Sequence, residues 1–200
     1  RGMNEPKTIR GQQTMGRIIK AAEIEFGKKG YYRTTVNDIA KRAKIAPGTI
    51  YIYFEDKYSL YCHLLRQYGH DIRKKIAEAV KGCDKRLEIE RAGLLSFLKQ
   101  VRKKPHMYQI IWEALYINPV LFADYYETFS SHYKAQLDEA GEEITQMDNT
   151  VLSYILMGIS SFLGLKYVFF DKNADLEVAV DEVVKFLRFG LTGGPEPSKR

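Results

Sequence analysis

Two short helices and a three-residue turn must fit between Thr35 and Lys57, where the chain reads TVNDIAKRAKIAPGTIYIYFEDK, and few folds satisfy that spacing. Thr35 with Asp38 makes a helix-start pair, in which hydroxyl and carboxylate each accept from the other's backbone amide. Ile39, Ala40 and Ala43 then give an apolar face to a helix ending near Ala43. Lys44-Ile45-Ala46 is too short for a linker. Pro47 suits the first position of a second helix, which runs to about Phe54 with Ile50 and Phe54 turned inward. The other face holds Gly48, Thr49, Tyr51 and Tyr53. Glycine lets backbone approach a phosphate, threonine can hydrogen-bond or touch a thymine methyl, and tyrosine carries a hydroxyl on a stiff ring. The unit reads as a DNA-binding helix-turn-helix. Ala46 stands at the cap position of the second helix and has no side-chain acceptor for its amides.

Charge points the same way. Residues 1–60 hold 12 Lys and Arg against 6 acids, and the remainder holds 19 of each, so the whole formal charge of +6 sits in the first sixty residues. A lobe that neutralises phosphates gains affinity by counterion release, and a neutral remainder has a different task.

A chain of 200 residues, 45% hydrophobic, can bury a real core and allows one or two domains. Two cysteines, Cys62 and Cys83, make no disulfide framework, and no charged-apolar-cleavable leader is read, so the expected location is cytoplasmic. Helical periodicity runs almost throughout. A first helix covers about Thr14 to Lys29 and ends at Gly30; a long one follows Lys57 and stops near Gly82. Others are expected from about Lys85 to Arg102, Pro105 to Tyr116, Pro119 to Ala140, Asp148 to Phe170 and Leu176 to Leu191. Strand signals are nearly absent, so the class is all-α: a helix-turn-helix domain over 8–56 and a helical effector-binding and dimerisation domain over 57–192.

The ordered set of AAEIEFGKKGYYRTTVNDIA, PGTIYIYF, Lys57 and the helix through Leu60, Leu64 and Leu65 resembles the N-terminal domain of the TetR (tetracycline repressor) family of transcriptional regulators. That resemblance implies phosphate contacts from Thr35, Tyr53 and Lys57 and groove contacts from Pro47, Gly48, Thr49 and Tyr51, all to double-stranded DNA. Val36 takes the place at which some members carry a base-reading arginine.

The run from Val151 to Phe170, VLSYILMGISSFLGLKYVFF, is long enough to span a bilayer. Its serines, tyrosines and Lys166, and the absence of a strongly basic flank before it, favour a buried helix and no membrane partner. The next helix carries a broad apolar stripe. The resemblance implies a homodimer built from such helices, with Leu152, Ile155, Ile159, Leu163, Val180, Val184 and Leu187 at the interface. Two recognition helices would then read a palindromic operator with half-sites about one helical turn or somewhat more apart.

Aromatic residues crowd the middle of the chain, with pairs at i, i+4. Any one ring reads as ordinary core, but many tyrosines in one place suggest an apolar cavity with a few polar contacts. The resemblance implies an effector pocket there, with Tyr68, Tyr108, Trp112, Tyr116, Phe122, Tyr125, Tyr126, Phe129 and Phe162 as candidate lining. The segment EALYINPVLFADYYETFSSHYKAQL, through Asn118, Pro119, Leu121, Tyr125, Tyr126 and Phe129, is similar to TetR-like regulators that respond to acyl-CoA esters or fatty acids. An apolar small-molecule effector is therefore expected, with a fatty acyl-CoA as leading candidate. A drug or xenobiotic regulator with a different aromatic or amphipathic ligand stays open, as does a ligand-binding protein without sequence-specific DNA binding. The helix after Lys57 is expected to reach both lobes and to carry the coupling.

Nothing in the sequence signals catalysis or a cofactor. His63 and His70 are seven apart beside Cys62, with no i, i+4 His pair, C-x-x-C or H-E-x-x-H spacing to bind metal. No G-x-S-x-G, G-x-x-x-x-G-K or G-x-G-x-x-G occurs. An enzyme is not expected.

Overall fold

The computed structural model describes residues 6–190, so the C-terminal limit expected for the last helix (Leu191) and for the second domain (residue 192) lies outside the described residues. Nine α-helices are formed among the described residues: α1 (Ile9–Lys29), α2 (Val36–Ala43), α3 (Ile50–Tyr53), α4 (Lys57–Ala79), α5 (Arg86–Lys103), α6 (Pro105–Ile117), α7 (Pro119–Ala140), α8 (Asn149–Leu165) and α9 (Leu176–Gly190). No β-strand is formed among them. The all-α class stands, and most helix ends fall within a few residues of the sequence reading. The main difference is at the front, where Thr8 caps α1 by accepting from the Gly11 amide and starts the helix five residues earlier than periodicity suggests.

The chain divides into two compact units, residues 1–70 with 104–125, and residues 71–103 with 126–200. This division differs from an expected boundary at residues 56 and 57. It falls inside α4 and inside α7, and it groups α6 with the helix-turn-helix.

In the first unit Ile18, Ala22 and Phe26 of α1, Ile39, Ala40 and Ala43 of α2, and Ile50, Phe54, Leu60, Tyr61 and Leu64 are all buried. Each large aliphatic or aromatic side chain so buried contributes about 1.5–3 kcal/mol. The Tyr61 ring meets Phe26 edge-on at 5.5 Å, and its hydroxyl donates to the Ile110 carbonyl of α6. Helices α1 and α6 approach closely at Gly27, where an added methyl would lie 2.3 Å from His106 Cβ. No rotamer change relieves a clash with a Cβ, so the backbones themselves must part.

The second unit has one core cluster of Leu137, Ile144, Leu152, Leu156 and Leu187 and another of Leu94, Leu98, Tyr167, Leu176 and Val180. Three residues assigned to a dimer interface, Leu152, Val180 and Leu187, are therefore inside the chain's own core. The correction has a simple cause. An apolar run that is hydrophobic all round gives no phase from which to tell the inward face from the outward one. Outward-facing apolar residues are Val151, Tyr154, Ile155 and Phe162 on α8, and Val178, Phe186 and Phe189 on α9. Ile159, Leu163 and Val184 are half-buried. A buried Arg86–Glu90 pair completes this unit, with the Tyr133 hydroxyl donating to Glu90 and the Arg86 guanidinium to the Gln136 carbonyl. The run from Asn149 to Phe170 is long and apolar enough to cross a membrane, but its inward face fills these clusters. After Leu165 it continues as a π-helical turn, Lys166–Phe170.

Gly27→Ala is expected to destabilise the fold by about 1–3 kcal/mol through overpacking. Chemical denaturation of the two proteins, compared by midpoint, checks this.

Candidate nucleic-acid interface

The helix-turn-helix is held by side chains that the sequence places at its joints. Thr35 and Asp38 form a reciprocal cap on α2: the Asp38 amide donates to Thr35 Oγ1 at 3.1 Å, and the Thr35 amide to Asp38 Oδ2 at 2.9 Å. Lys29 of α1 pairs with Asp38 at 2.9 Å and with Glu25 at 3.1 Å, and Arg42 of α2 pairs with Glu25 at 2.5 Å. The Thr35 bond and the Lys29 ammonium hold the Asp38 carboxyl well below the usual range. Burial pushes Glu25 upward, but Arg42 and Lys29 outweigh it and leave the net direction downward.

The turn between α2 and the next element is tight because Lys44 is left-handed, with φ 56° and ψ 51°, and its amide reaches back to Ala40 and Lys41. A non-glycine residue rarely adopts this conformation, which costs about 1–2 kcal/mol. The second helix starts as a 3-10 turn over Pro47–Thr49 and continues as α3. Ala46 supplies no side-chain cap there. Ile50 and Phe54 point inward as expected, and Pro47 and Gly48 are exposed together with Tyr51 at 53% and Ile52 at 60%. Thr49 and Tyr53 are half-buried. The Tyr53 hydroxyl reaches Gly11, where an added methyl would lie 3.7 Å from it. That places the hydroxyl at the N-terminal end of α1, where helix amides favour an anion. Along the outer face of α1 runs an open groove lined by Arg10, Gln13, Thr14, Gly16, Arg17 and Lys20.

Lys57, expected at a phosphate, is engaged within the domain itself. Its ammonium donates to the carbonyls of Tyr31 and Thr34, each at 2.9 Å, and lies 4.2 Å over the Tyr31 ring. Burial lowers its pKa, and the nearby Glu113 carboxylate works against that shift. Glu113 of α6 accepts from the Tyr31 amide at 2.8 Å, while its other oxygen is buried without a hydrogen-bond partner. Burial pushes the Glu113 carboxyl up. Gly30, at φ 78°, gives Glu113 its approach, since a Cβ there would meet the carboxylate at 2.7 Å. Both polar groups of the Tyr31 backbone are thus gripped, one from α4 and one from α6. Ile52, which the sequence reading did not single out, is exposed on the second helix of the motif, and nothing local in the sequence marks Glu113 as a partner of the Tyr31 amide.

Residues 18–64 match the family model of bacterial regulatory proteins, tetR family. The helix-turn-helix region of the chain is therefore of the TetR kind. Over 80 residues, 40% of its length, the chain is 32% identical to the HTH-type transcriptional regulator HbdR of Aromatoleum sp. (strain CIB), of which the match covers 34%. It is 40% identical over 73 residues to TtgR of Pseudomonas putida, covering 36% of this chain and 34% of TtgR. These matches therefore span only about a third of each relative. A longer match, 22% identical over 185 residues, covers 90% of this chain and 84% of the HTH-type transcriptional activator FasR of Mycolicibacterium smegmatis. Among solved structures, the fatty acid degradation regulator FadR from Bacillus halodurans superposes with a TM-score of 0.79 at 22% identity, covering 96% of this chain and 99% of that one. TetR-family regulators are DNA-binding transcription factors rather than enzymes, and they form dimers.

The expected effector-lining residues fall in both units and are described unit by unit. Within the first unit Tyr108 and Trp112 meet edge-on at 6.3 Å, and Trp112 lies 6.4 Å from Phe122. Tyr68 and Tyr108 are buried, and Trp112, Phe122 and Tyr125 half-buried. Tyr116 does not join them: its ring is 79% exposed, and its carbonyl accepts from the Tyr32 hydroxyl at 3.2 Å. Within the second unit Tyr126 and Phe129 are half-buried, Tyr126 bonding Ser161 and Phe129 lying 5.0 Å under the Arg73 guanidinium. Phe162 is 71% exposed, on the same face of α8 as Val151 and Ile155. Tyr116 and Phe162, candidates through the resemblance, are thus exposed, unlike the other residues expected to line the pocket.

Two outcomes follow from this geometry. Lys57→Met should lower the denaturation midpoint, since two carbonyls lose their donor at about 1–3 kcal/mol in total. The slope of log affinity against log salt should stay unchanged; a slope smaller by about one would return Lys57 to a phosphate. The carboxyls of Asp38 and Glu25 titrate below their unfolded values, so the stability they contribute is present above the ordinary carboxylate range and lost as pH falls through it. Stability should therefore drop between about pH 5 and pH 2. Denaturation midpoints across that range should fall less steeply for Asp38→Asn than for the unaltered protein.

Proposed function

We propose that the protein is a sequence-specific transcriptional regulator, a homodimeric repressor released from a palindromic operator when an apolar small molecule binds its C-terminal helical region. The observation that carries the DNA part is the outward face of the 3-10 and α3 element, Pro47, Gly48, Tyr51 and Ile52, on the unit that holds the chain's whole excess of positive charge. Homodimerisation is supported by the exposed apolar faces of α8 (Val151, Ile155, Phe162) and α9 (Val178, Phe186, Phe189), which put hydrocarbon in water unless a second copy covers it. The interface then uses these residues with Ile155 in common with the sequence reading.

A fatty acyl-CoA is the leading effector. The segment around Asn118 to Phe129 supports it, as does likeness to FadR of Bacillus halodurans and to the fatty acid metabolism regulator of Bacillus subtilis, 34% identical over 64 residues. Those 64 residues cover 32% of this chain and 33% of that relative. The ligand must favour the state that does not bind the operator, and a coupling of roughly 1–3 kcal/mol weakens DNA binding about 5- to 150-fold. FasR is an activator, so activation is a second reading in which the same ligand site changes transcription with the opposite sign.

Selection of binding sites from a randomised duplex pool, with and without acyl-CoAs of varied chain length, tests the proposal. A palindromic site should be enriched and then lost with one class of thioester. Failure to enrich any site would sink the regulator reading; an enriched site that no thioester weakens would remove only the acyl-CoA. Thermal shifts with free fatty acids and unrelated apolar compounds then identify the ligand class.

A further inference from the structure

We infer that the operator is read chiefly through the 5-methyl groups of thymine, with Ile52 as a specificity-determining residue beside Tyr51 and Thr49. This rests on the DNA-binding reading above and names what that site recognises. The element from Ile45 to Phe54 reads IAPGTIYIYF and holds no Arg, Lys, Asn, Gln, Asp, Glu or His. Those are the side chains that recognise guanine, adenine or cytosine by hydrogen bonds to base edges in the major groove. What this element can offer a base edge is hydroxyl and hydrocarbon. The thymine methyl is the apolar feature of that groove.

Exposure sorts the residues further. Ile50 and Phe54 are buried in the domain, and the Tyr53 hydroxyl sits beside Gly11 of α1. Tyr51 and Ile52, at 53% and 60% exposure, are left facing outward with Gly48, which is exposed and has no neighbouring atom within 4 Å of where a Cβ would stand. One exposed isoleucine on a protein surface carries no meaning alone. Here it stands on the element of a helix-turn-helix that enters the groove, next to a glycine that permits close approach. Val36, half-buried at the first position of α2, extends the same chemistry. The cations of the motif lie elsewhere: Arg42 is paired to Glu25, Lys57 is turned to backbone carbonyls, and Lys41 and Lys44 are exposed at the end of α2. Asn37, exposed on α2, is the motif's single side-chain amide.

The test begins with the operator that selection enriches, synthesised with deoxyuridine in place of one thymidine at a time. Uracil keeps the hydrogen-bonding edge of thymine and lacks only the methyl. Each methyl that is buried should be worth about fourfold in affinity, so one or two positions per half-site should weaken binding by that amount. Ile52→Ala, altered at an exposed position, should fold with an unchanged melting temperature. It should bind the unmodified operator about fourfold more weakly and become insensitive to uracil at one of those positions. Replacement of each purine by its 7-deaza analogue should cost less than twofold. Equal affinity of the unaltered protein for thymine and uracil operators would overturn the inference, as would a large loss on 7-deazapurine substitution inside the half-site. An Ile52→Ala variant that keeps full uracil sensitivity would take the role from Ile52. If no operator is enriched at all, the DNA-binding reading has failed, and that outcome is distinct from every one above.

Discussion

The helix-turn-helix depends on how the short connection between α1 and α2 is held. Tyr31 has its carbonyl bound by the Lys57 ammonium of α4 and its amide bound by the Glu113 carboxylate of α6. These are charge-assisted bonds in a partly buried place, roughly twice as strong as neutral ones. They act at a stretch, residues 30–35, where the chain has no helical ladder of its own to satisfy its backbone. Thr34, fully buried, adds hydrogen bonds from its hydroxyl to the carbonyls of Glu25 and Gly30. The start of α2 is thereby fixed in position before its own capping box is counted, and the orientation of α3 follows from packing Ile50 and Phe54 beneath it.

The same arrangement redistributes the positive charge. Lys29, Arg42 and Lys57 lie in the basic lobe but serve the lobe's own structure. Lys57 is the instructive case. A lysine at the foot of a recognition helix invites a phosphate, yet two carbonyls and an aromatic face give its ammonium enough partners to stand without one. Arg10, Arg17 and Lys20, in the groove on α1, are better placed to remain available to solvent ions or to a polyanion.

Much of the fold was legible in local pattern. The Thr35–Asp38 pair, Pro47 at the head of the second helix, Gly30 at the end of the first and the apolar periodicity of α4 to α9 are all short-range signals, and the helices fall where they point. Long-range relations were not legible. Glu113 is 82 residues from the amide it binds, and no window of sequence shows that distance closing. The faces of α8 were misassigned for a related reason. Leu152 and Ile155 are equally apolar and three residues apart, and only the neighbours supplied by α7 and α9 decide that the first is core and the second is surface. For the candidate interface, the motif singled out Pro47, Gly48, Tyr51 and Thr35, all of which are exposed. Ile52, exposed beside them, was not singled out because an aliphatic side chain has no polar chemistry to draw attention.

The separation of uncharged from charged residues in the helix-turn-helix bears on how such a domain changes over evolutionary time. Cationic side chains bind the backbone of any duplex, so altering them shifts occupancy across a whole genome. An element with no charge between Ile45 and Phe54 can exchange one aliphatic or aromatic residue for another and leave that general attraction intact. In a domain of this kind, new target preferences are then open to single steps that leave the general attraction to a duplex in place.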